Sequence, residues 1–173
     1  MVEVIILKLF LLRKSINGTL PTKGSKEIYM AKWTKKLFIE ALKQECQPHA
    51  VNVVMDFIQF SEVQADIIAW GRGEGHGTMT FKCKSEDWGI VPIFHVTSDG
   101  KIKFLLNNMR NKVRKREIIR EYTLKLESNF MMDFNEDVYT SDVYFEIGEL
   151  FVTKVEVEKF MHTVRGITAR LHQ

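Results

Sequence analysis

Asp66-Ile67-Ile68-Ala69-Trp70-Gly71-Arg72-Gly73-Glu74-Gly75-His76-Gly77-Thr78-Met79-Thr80-Phe81-Lys82-Cys83-Lys84 is the stretch whose reading decides the fold. Residues 66–70 form a short apolar run, which predicts a strand. Residues 71–77 are a glycine-rich loop. Residues 78–84 alternate between apolar and polar, the pattern of a half-buried strand. A strand therefore follows the loop, where a phosphate-binding glycine loop would lead into a helix. The same logic continues downstream. Residues 88–96 carry Ile90, Ile93, Phe94 and Val96 and predict a third strand. Ser98-Asp99-Gly100 is a tight-turn signal, and residues 101–105 alternate again as a fourth strand. Connections this short imply an antiparallel meander.

Helical patterns flank the meander. Residues 34–45 place Leu37, Ile39, Ala41 and Leu42 at helical spacing, with Thr34 as a cap. Gln47-Pro48 breaks that helix, and Pro48 suits the first turn of a second one over 49–62. Its Val51, Val54, Phe57 and Ile58 should face the core, with Asp56 and Gln59 on the other side. A helix over 112–129 is expected to use Val113, Ile119, Tyr122, Leu124 and Leu126 as apolar positions. Residues 130–140 read as irregular and acidic, and 143–147 as a short extended piece. The last helix spans 153–171. Thr153 with Glu156 forms a capping box, and Val157, Phe160, Met161, Val164, Ile167 and Leu171 form the apolar stripe. The expected fold is α+β: an antiparallel four-stranded meander with two N-terminal and two C-terminal helices packed on it.

The composition agrees with a single such domain over 30–173. The chain has 173 residues, 45% hydrophobic and 27% charged, the balance of an ordinary globular protein. Collagen, low-complexity disorder, a disulfide-dense scaffold and a polytopic membrane protein are excluded. Residues 1–12 are apolar but carry Glu3 and Lys8, and the run is too short for a span. A turn-rich tract over 15–25 follows. Lys26-Glu27 is encodable as AAGGAG, a ribosome-binding sequence, ahead of Met30. Residues 1–29 are thus expected to be a disordered leader or a misassigned start. They also hold the whole net charge of +3, so 30–173 balance at zero.

Chemistry is harder to find. Cys46 and Cys83 stand far apart, and His49, His76, His95, His162 and His172 are scattered. No CxxC or His/Cys ligand spacing exists, so no metal site is expected and the thiols read as reduced, in a cytoplasmic protein. Nor does the sequence call for a cofactor. The acid pairs Glu86-Asp87, Glu136-Asp137 and Glu156/Glu158 lack the Asp…Glu-x-Lys layout of a metal-dependent nuclease. Asp66 has no such partner motif on the next strand. No catalytic residues are assigned. Trp70, Arg72 and His76 are the loop's candidate ligand contacts, Trp70 by stacking and Arg72 by charge. The competing reading makes Trp70 a core aromatic and Arg72 a solvated base. An enzyme with a small-ligand site here would need a pocket gathering Arg72, His76 and an acid such as Glu74.

The clearest signal is charge separation. Residues 101–125 hold nine bases and two acids, net +7, while 127–158 hold nine acids and one base, net −8. One reading is a nucleic-acid patch. Arg110, Lys112, Arg114, Lys115, Arg116 and Arg120 would hold phosphates, and Asn107, Asn108 and Asn111 would add hydrogen bonds. The other is mutual neutralisation of the two segments, within one chain or across a homodimer.

The segment 51–58, the run 68–81 with its Trp70-Gly71-Arg72-Gly73-Glu74-Gly75-His76-Gly77 signature, and the run 94–104 together carry a resemblance. They are similar to a bacterial domain with a Trp-Gly-x-Gly-x-x-x-Gly loop, often found C-terminal to PD-(D/E)XK or restriction-like nuclease modules. The match would cover 48–171. It implies association with DNA-handling or defence systems by fusion, and DNA, RNA or a nuclease-type protein is the expected partner. It implies no catalytic residues, and no nuclease module is present in this chain.

Overall fold

The computed structural model describes residues 32–72 and 75–173. The expected leader over 1–29, the start at Met30, and Gly73 and Glu74 lie outside these residues. The chain is α+β, with a five-stranded antiparallel sheet in the order β1-β2-β3-β4-β5. Six helices accompany it among the described residues.

Helix α1 (Lys35–Glu45) starts where Thr34 accepts the Leu37 N–H through its side chain at 3.3 Å. Helix α2 (Pro48–Gln64) has proline in its first turn, where the missing N–H costs nothing. It buries Val53, Val54, Phe57, Ile58 and Phe60, while Asp56 and Gln59 face out as expected. Val51, expected in the core, is only half-buried. The strands β1 (Ile67–Trp70), β2 (Thr78–Ser85), β3 (Gly89–Thr97) and β4 (Lys101–Phe104) form the expected meander. Gly77 enters β2 against Trp33, and a Cβ there would meet the indole at 2.7 Å. Gly100 supplies the left-handed φ of +82° that the β3–β4 turn needs.

Two expectations need correction. The extended piece is strand β5 (Tyr144–Glu146), which pairs Tyr144 with Lys103 and Glu146 with Lys101, so the meander has five strands. The helix expected over 112–129 is α4 (Arg116–Phe130), and a separate short helix outside the expectation, α3 (Leu106–Lys112), precedes it. The Asp142 carboxylate explains the start of α3. It accepts the Asn107 and Asn108 N–H groups at 2.8 and 3.2 Å, satisfying donors that a helix start leaves open. Val113 is buried in the break between the helices, and Leu124, expected in the core, is exposed. The short helix α5 (Ile147–Leu150) follows β5 directly. Helix α6 (Lys154–Leu171) closes the fold with the expected capping box, Glu156 Oε2 accepting the Thr153 N–H at 2.5 Å.

One face of the sheet meets the helices. Phe81 pairs with Phe94 and Phe94 with Phe104, and all three are buried. Phe57, Phe130, Phe151 and Phe160 close over them, edge-on for the most part, at centroid separations of 5.0 to 6.3 Å. Alternation sends Thr80, Lys82, Pro92, His95, Lys103 and Tyr144 to the opposite face. A register shift between Phe81 and Lys82 keeps both faces in phase, Lys82 facing Pro92. No helix among the described residues is long and apolar enough to cross a membrane.

Candidate functional site

The basic residues nominated from sequence divide into two groups. Arg110 is turned inward and serves the fold. Its guanidinium donates to Asn107 Oδ1 at 2.7 Å, to the Tyr139 carbonyl at 3.1 Å and to the Phe134 carbonyl, and Glu136 stands 3.5 Å away. That side chain is 8% exposed, so it offers no group to a phosphate. Lys112, Arg114, Lys115, Arg116 and Arg120 are exposed. Lys112 donates to the Ile90 carbonyl, which draws the end of α3 to β3. Lys115 Nζ lies over the Trp88 indole, 5.4 Å from its centroid, with Asp87 at 3.9 Å. Arg116 reaches Glu136 at 3.6 Å. Glu136 thus pairs with both Arg110 and Arg116, so part of the charge separation is neutralised within the chain.

Folding adds residues that the linear charge map lacked. A groove of about 620 Å³ is lined by Asp87, Trp88, Lys112 and Arg114. A neighbouring groove shares Lys112 and is lined by Lys82, Ile90, Pro92, Asn108 and Asn111. Lys82 arrives from β2, Trp88 from the β2–β3 turn, and Lys112 with Arg114 from the break after α3. The sheet face beside them carries Lys103 and His95, which pair across β3 and β4. Burial, then Lys103 and Lys82, pull the His95 imidazole down to about 4. The half-exposed indole and the sequence-distant Lys82 gave no local signal. Only the strand register places Lys82 on this side.

The glycine loop is anchored to other parts of the fold. Trp70 packs on Phe38 with ring centroids 5.3 Å apart, so it serves the core. Arg72 is exposed and bridges through its backbone to Lys32. His76 Nδ1 lies 3.1 Å from Glu45, and its Nε2 lies 3.6 Å from Asp99. Asp99 also holds Lys101 at 2.7 Å. Burial opposes ionisation of Asp99, but hydrogen bonds from Lys101 and Thr97 and the charge of His76 outweigh it, so its carboxyl lies below the usual range. These pairs tie the loop to α1 and to the β3–β4 turn. Trp70, Arg72 and His76 thus take separate partners: Phe38, Lys32, and the Glu45 and Asp99 carboxylates.

A third group was missed altogether. Asp66 directly precedes β1, Cys83 lies in β2 and His172 caps the end of α6. His172 Nε2 lies 2.8 Å from Asp66 Oδ2 and 3.2 Å from Cys83 Sγ. The Lys84 N–H donates to the same carboxylate oxygen at 2.7 Å. That N–H and the His172 ring hold the Asp66 carboxyl below its usual range. Burial and the Asp66 carboxylate push the Cys83 thiol up to about 12. No spacing motif signals this group, because 89 residues separate Cys83 from His172. Cys46 and Cys83 are both free thiols. Compared with known proteins, the chain matches no family model, no curated protein and no solved structure.

Proposed function

We propose that the protein binds nucleic acid through the sugar–phosphate backbone, as an accessory module that does no chemistry itself. The observation that carries this reading is the pair of adjoining grooves that share Lys112, one holding Arg114 and the Trp88 indole under Lys115, the other holding Lys82. Four cations from two segments, Lys82 and the run 112–115, supply phosphate contacts, and one aromatic face supplies a platform for a base. Asn108 and Asn111 line the same groove system and suit hydrogen bonds to sugar and phosphate. The groove is shallow and accepts a strand whose bases are splayed, which favours single-stranded DNA or RNA over a duplex. Arg116 and Arg120 extend the basic surface along α4. The resemblance to nuclease-associated domains agrees with such a role.

Fluorescence anisotropy with short single-stranded DNA and RNA across a salt series tests the reading. Affinity should fall as salt rises, with a log–log slope of about −0.7 per phosphate contacted. Charge reversal at Lys112, Arg114 and Lys115 together should shallow that slope by about 2. Trp88→Ala should weaken binding about tenfold while leaving the slope unchanged. Equal binding and equal slope in the charge-reversed protein would overturn the assignment. Failure to bind either polymer at low salt would turn the search toward a protein partner of the nuclease type.

A further inference from the structure

The Asp66, Cys83 and His172 side chains converge on one point from three elements that are far apart in the chain. Their donor atoms all lie within 4.8 Å of one another. Both Cys83 Sγ and Asp66 Oδ2 approach the same nitrogen of His172, at 3.2 and 2.8 Å. An imidazole nitrogen carries either one lone pair or one N–H, so one linear hydrogen bond through Nε2 serves one of these approaches, and the Cys83 thiol also has the Asp66 carboxylate within reach. A relay for nucleophilic catalysis would instead place the acid on Nδ1 and the thiol on Nε2. A cation set among the three atoms uses all of them.

From this convergence we propose that Asp66, Cys83 and His172 form a Zn²⁺ site with three protein ligands and a fourth position open to solvent. Thiolate, imidazole and carboxylate are the donors zinc takes. Tetrahedral bonds to S, N and O put such donors about 3.3–3.6 Å apart, so the two approaches to His172, at 2.8 and 3.2 Å, need to open by about half an ångström or less. On binding, the Cys83 S–H loses its proton to solvent and the sulfur pair enters the metal bond. His172 binds as neutral imidazole and Asp66 as carboxylate. The charges of Zn²⁺, thiolate and carboxylate then sum to zero, which suits a half-buried position. Cys83 is fully buried beneath the site, while the Asp66 and His172 side chains are 30% and 47% exposed, so water reaches the fourth position from outside. The Lys84 N–H already orients the Asp66 carboxylate from rigid strand β2. Zinc here would pin the end of α6 to the β1–β2 edge of the sheet. The site shares no residue with the nucleic-acid surface and does not depend on that reading.

Cobalt titration of the reduced, metal-stripped full chain tests the proposal. One equivalent of Co²⁺ should produce a thiolate-to-cobalt charge-transfer band and the strong visible bands of a four-coordinate centre, and Zn²⁺ should displace it. Cys83→Ser should remove the charge-transfer band, and Cys46→Ser should keep it. His172→Gln changes an exposed residue just past the last turn of α6, so folding should persist while zinc affinity drops at least about tenfold. Zinc should raise the melting temperature of the wild-type chain and not that of His172→Gln. Absence of the charge-transfer band, its survival in Cys83→Ser, or equal zinc affinity in His172→Gln would each overturn the site.

Discussion

His95 Nδ1 lies 2.6 Å from Thr80 Oγ1, on the sheet face that also carries Lys82 and Lys103. Burial, then the two lysines, lower its pKa from 6.5 to about 4, against a weaker opposite pull from Asp142. The ring is neutral at neutral pH and its bond to Thr80 does not need a charge. In the unfolded chain the same ring gains a proton near pH 6.5. Between those two values the unfolded state binds more protons, so stability rises with pH there and falls as pH drops from 6.5 toward 4. Urea unfolding at stepped pH should show this loss, and His95→Gln should flatten it over that window. An unchanged slope in the variant would remove His95 as the cause.

The same histidine reports on the basic face. A phosphate bound near Lys82 and Lys103 offsets their positive field, which favours the protonated ring. Adding single-stranded nucleic acid should therefore raise the His95 pKa, read from its ring proton shifts by NMR. Lys82→Ala should raise it without any ligand. A ligand that binds yet leaves the His95 titration in place contacts some other surface.

Arg110 and Arg114 separate a structural role from a binding role. Arg110 holds two carbonyls and Asn107 from a nearly buried position. Arg110→Ala should lower stability by about 2–3 kcal/mol, as loss of charge-assisted hydrogen bonds does. Arg114 is exposed, so Arg114→Ala should stay within about 0.5 kcal/mol of wild type while weakening nucleic-acid binding. Chemical denaturation and anisotropy on the same two proteins check the pair.

Gly77 has no room for a side chain. Its Cβ would approach the Trp33 ring at 2.7 Å and Phe38 at 3.0 Å. Gly77→Ala should cost about 1–3 kcal/mol through overpacking. The test is the urea midpoint of the variant, where parity with wild type would show that the Trp33 ring shifts freely.

Two further substitutions calibrate the core and the last helix. Phe94→Ala should cost about 3–5 kcal/mol, since the ring touches Phe57, Phe81 and Phe160 at full burial. Thr153→Ala should cost about 1 kcal/mol through loss of the capping box on α6. Denaturant midpoints that reverse this order would mean that α6 docking depends on its cap more than on the aromatic cluster.

Local chemistry determined most of the elements. The alternation over 78–84, the Ser98-Asp99-Gly100 turn, Pro48 and the Thr153–Glu156 box each act within a few residues, so the sequence alone specifies α1, α2, the meander and α6. It also located the exposed basic residues at 112–120. Tertiary structure decided what depends on distant partners. Asp142 caps α3 from 35 residues away, which adds a short helix ahead of the expected one. Lys103 pairs with Tyr144 and makes β5 the fifth strand. Trp70 turns to Phe38 and Arg110 turns to backbone carbonyls, so both serve the packing of the fold. Strand register brings Lys82 beside Pro92, into a groove shared with Lys112. Closure of α6 onto the sheet edge brings His172 to Asp66 and Cys83, although 106 and 89 residues separate them. Short-range patterns encode turns, caps and alternation because those forces act along the chain. Grooves and ligand clusters depend on through-space convergence, which exists only once the sheet register and helix docking are set.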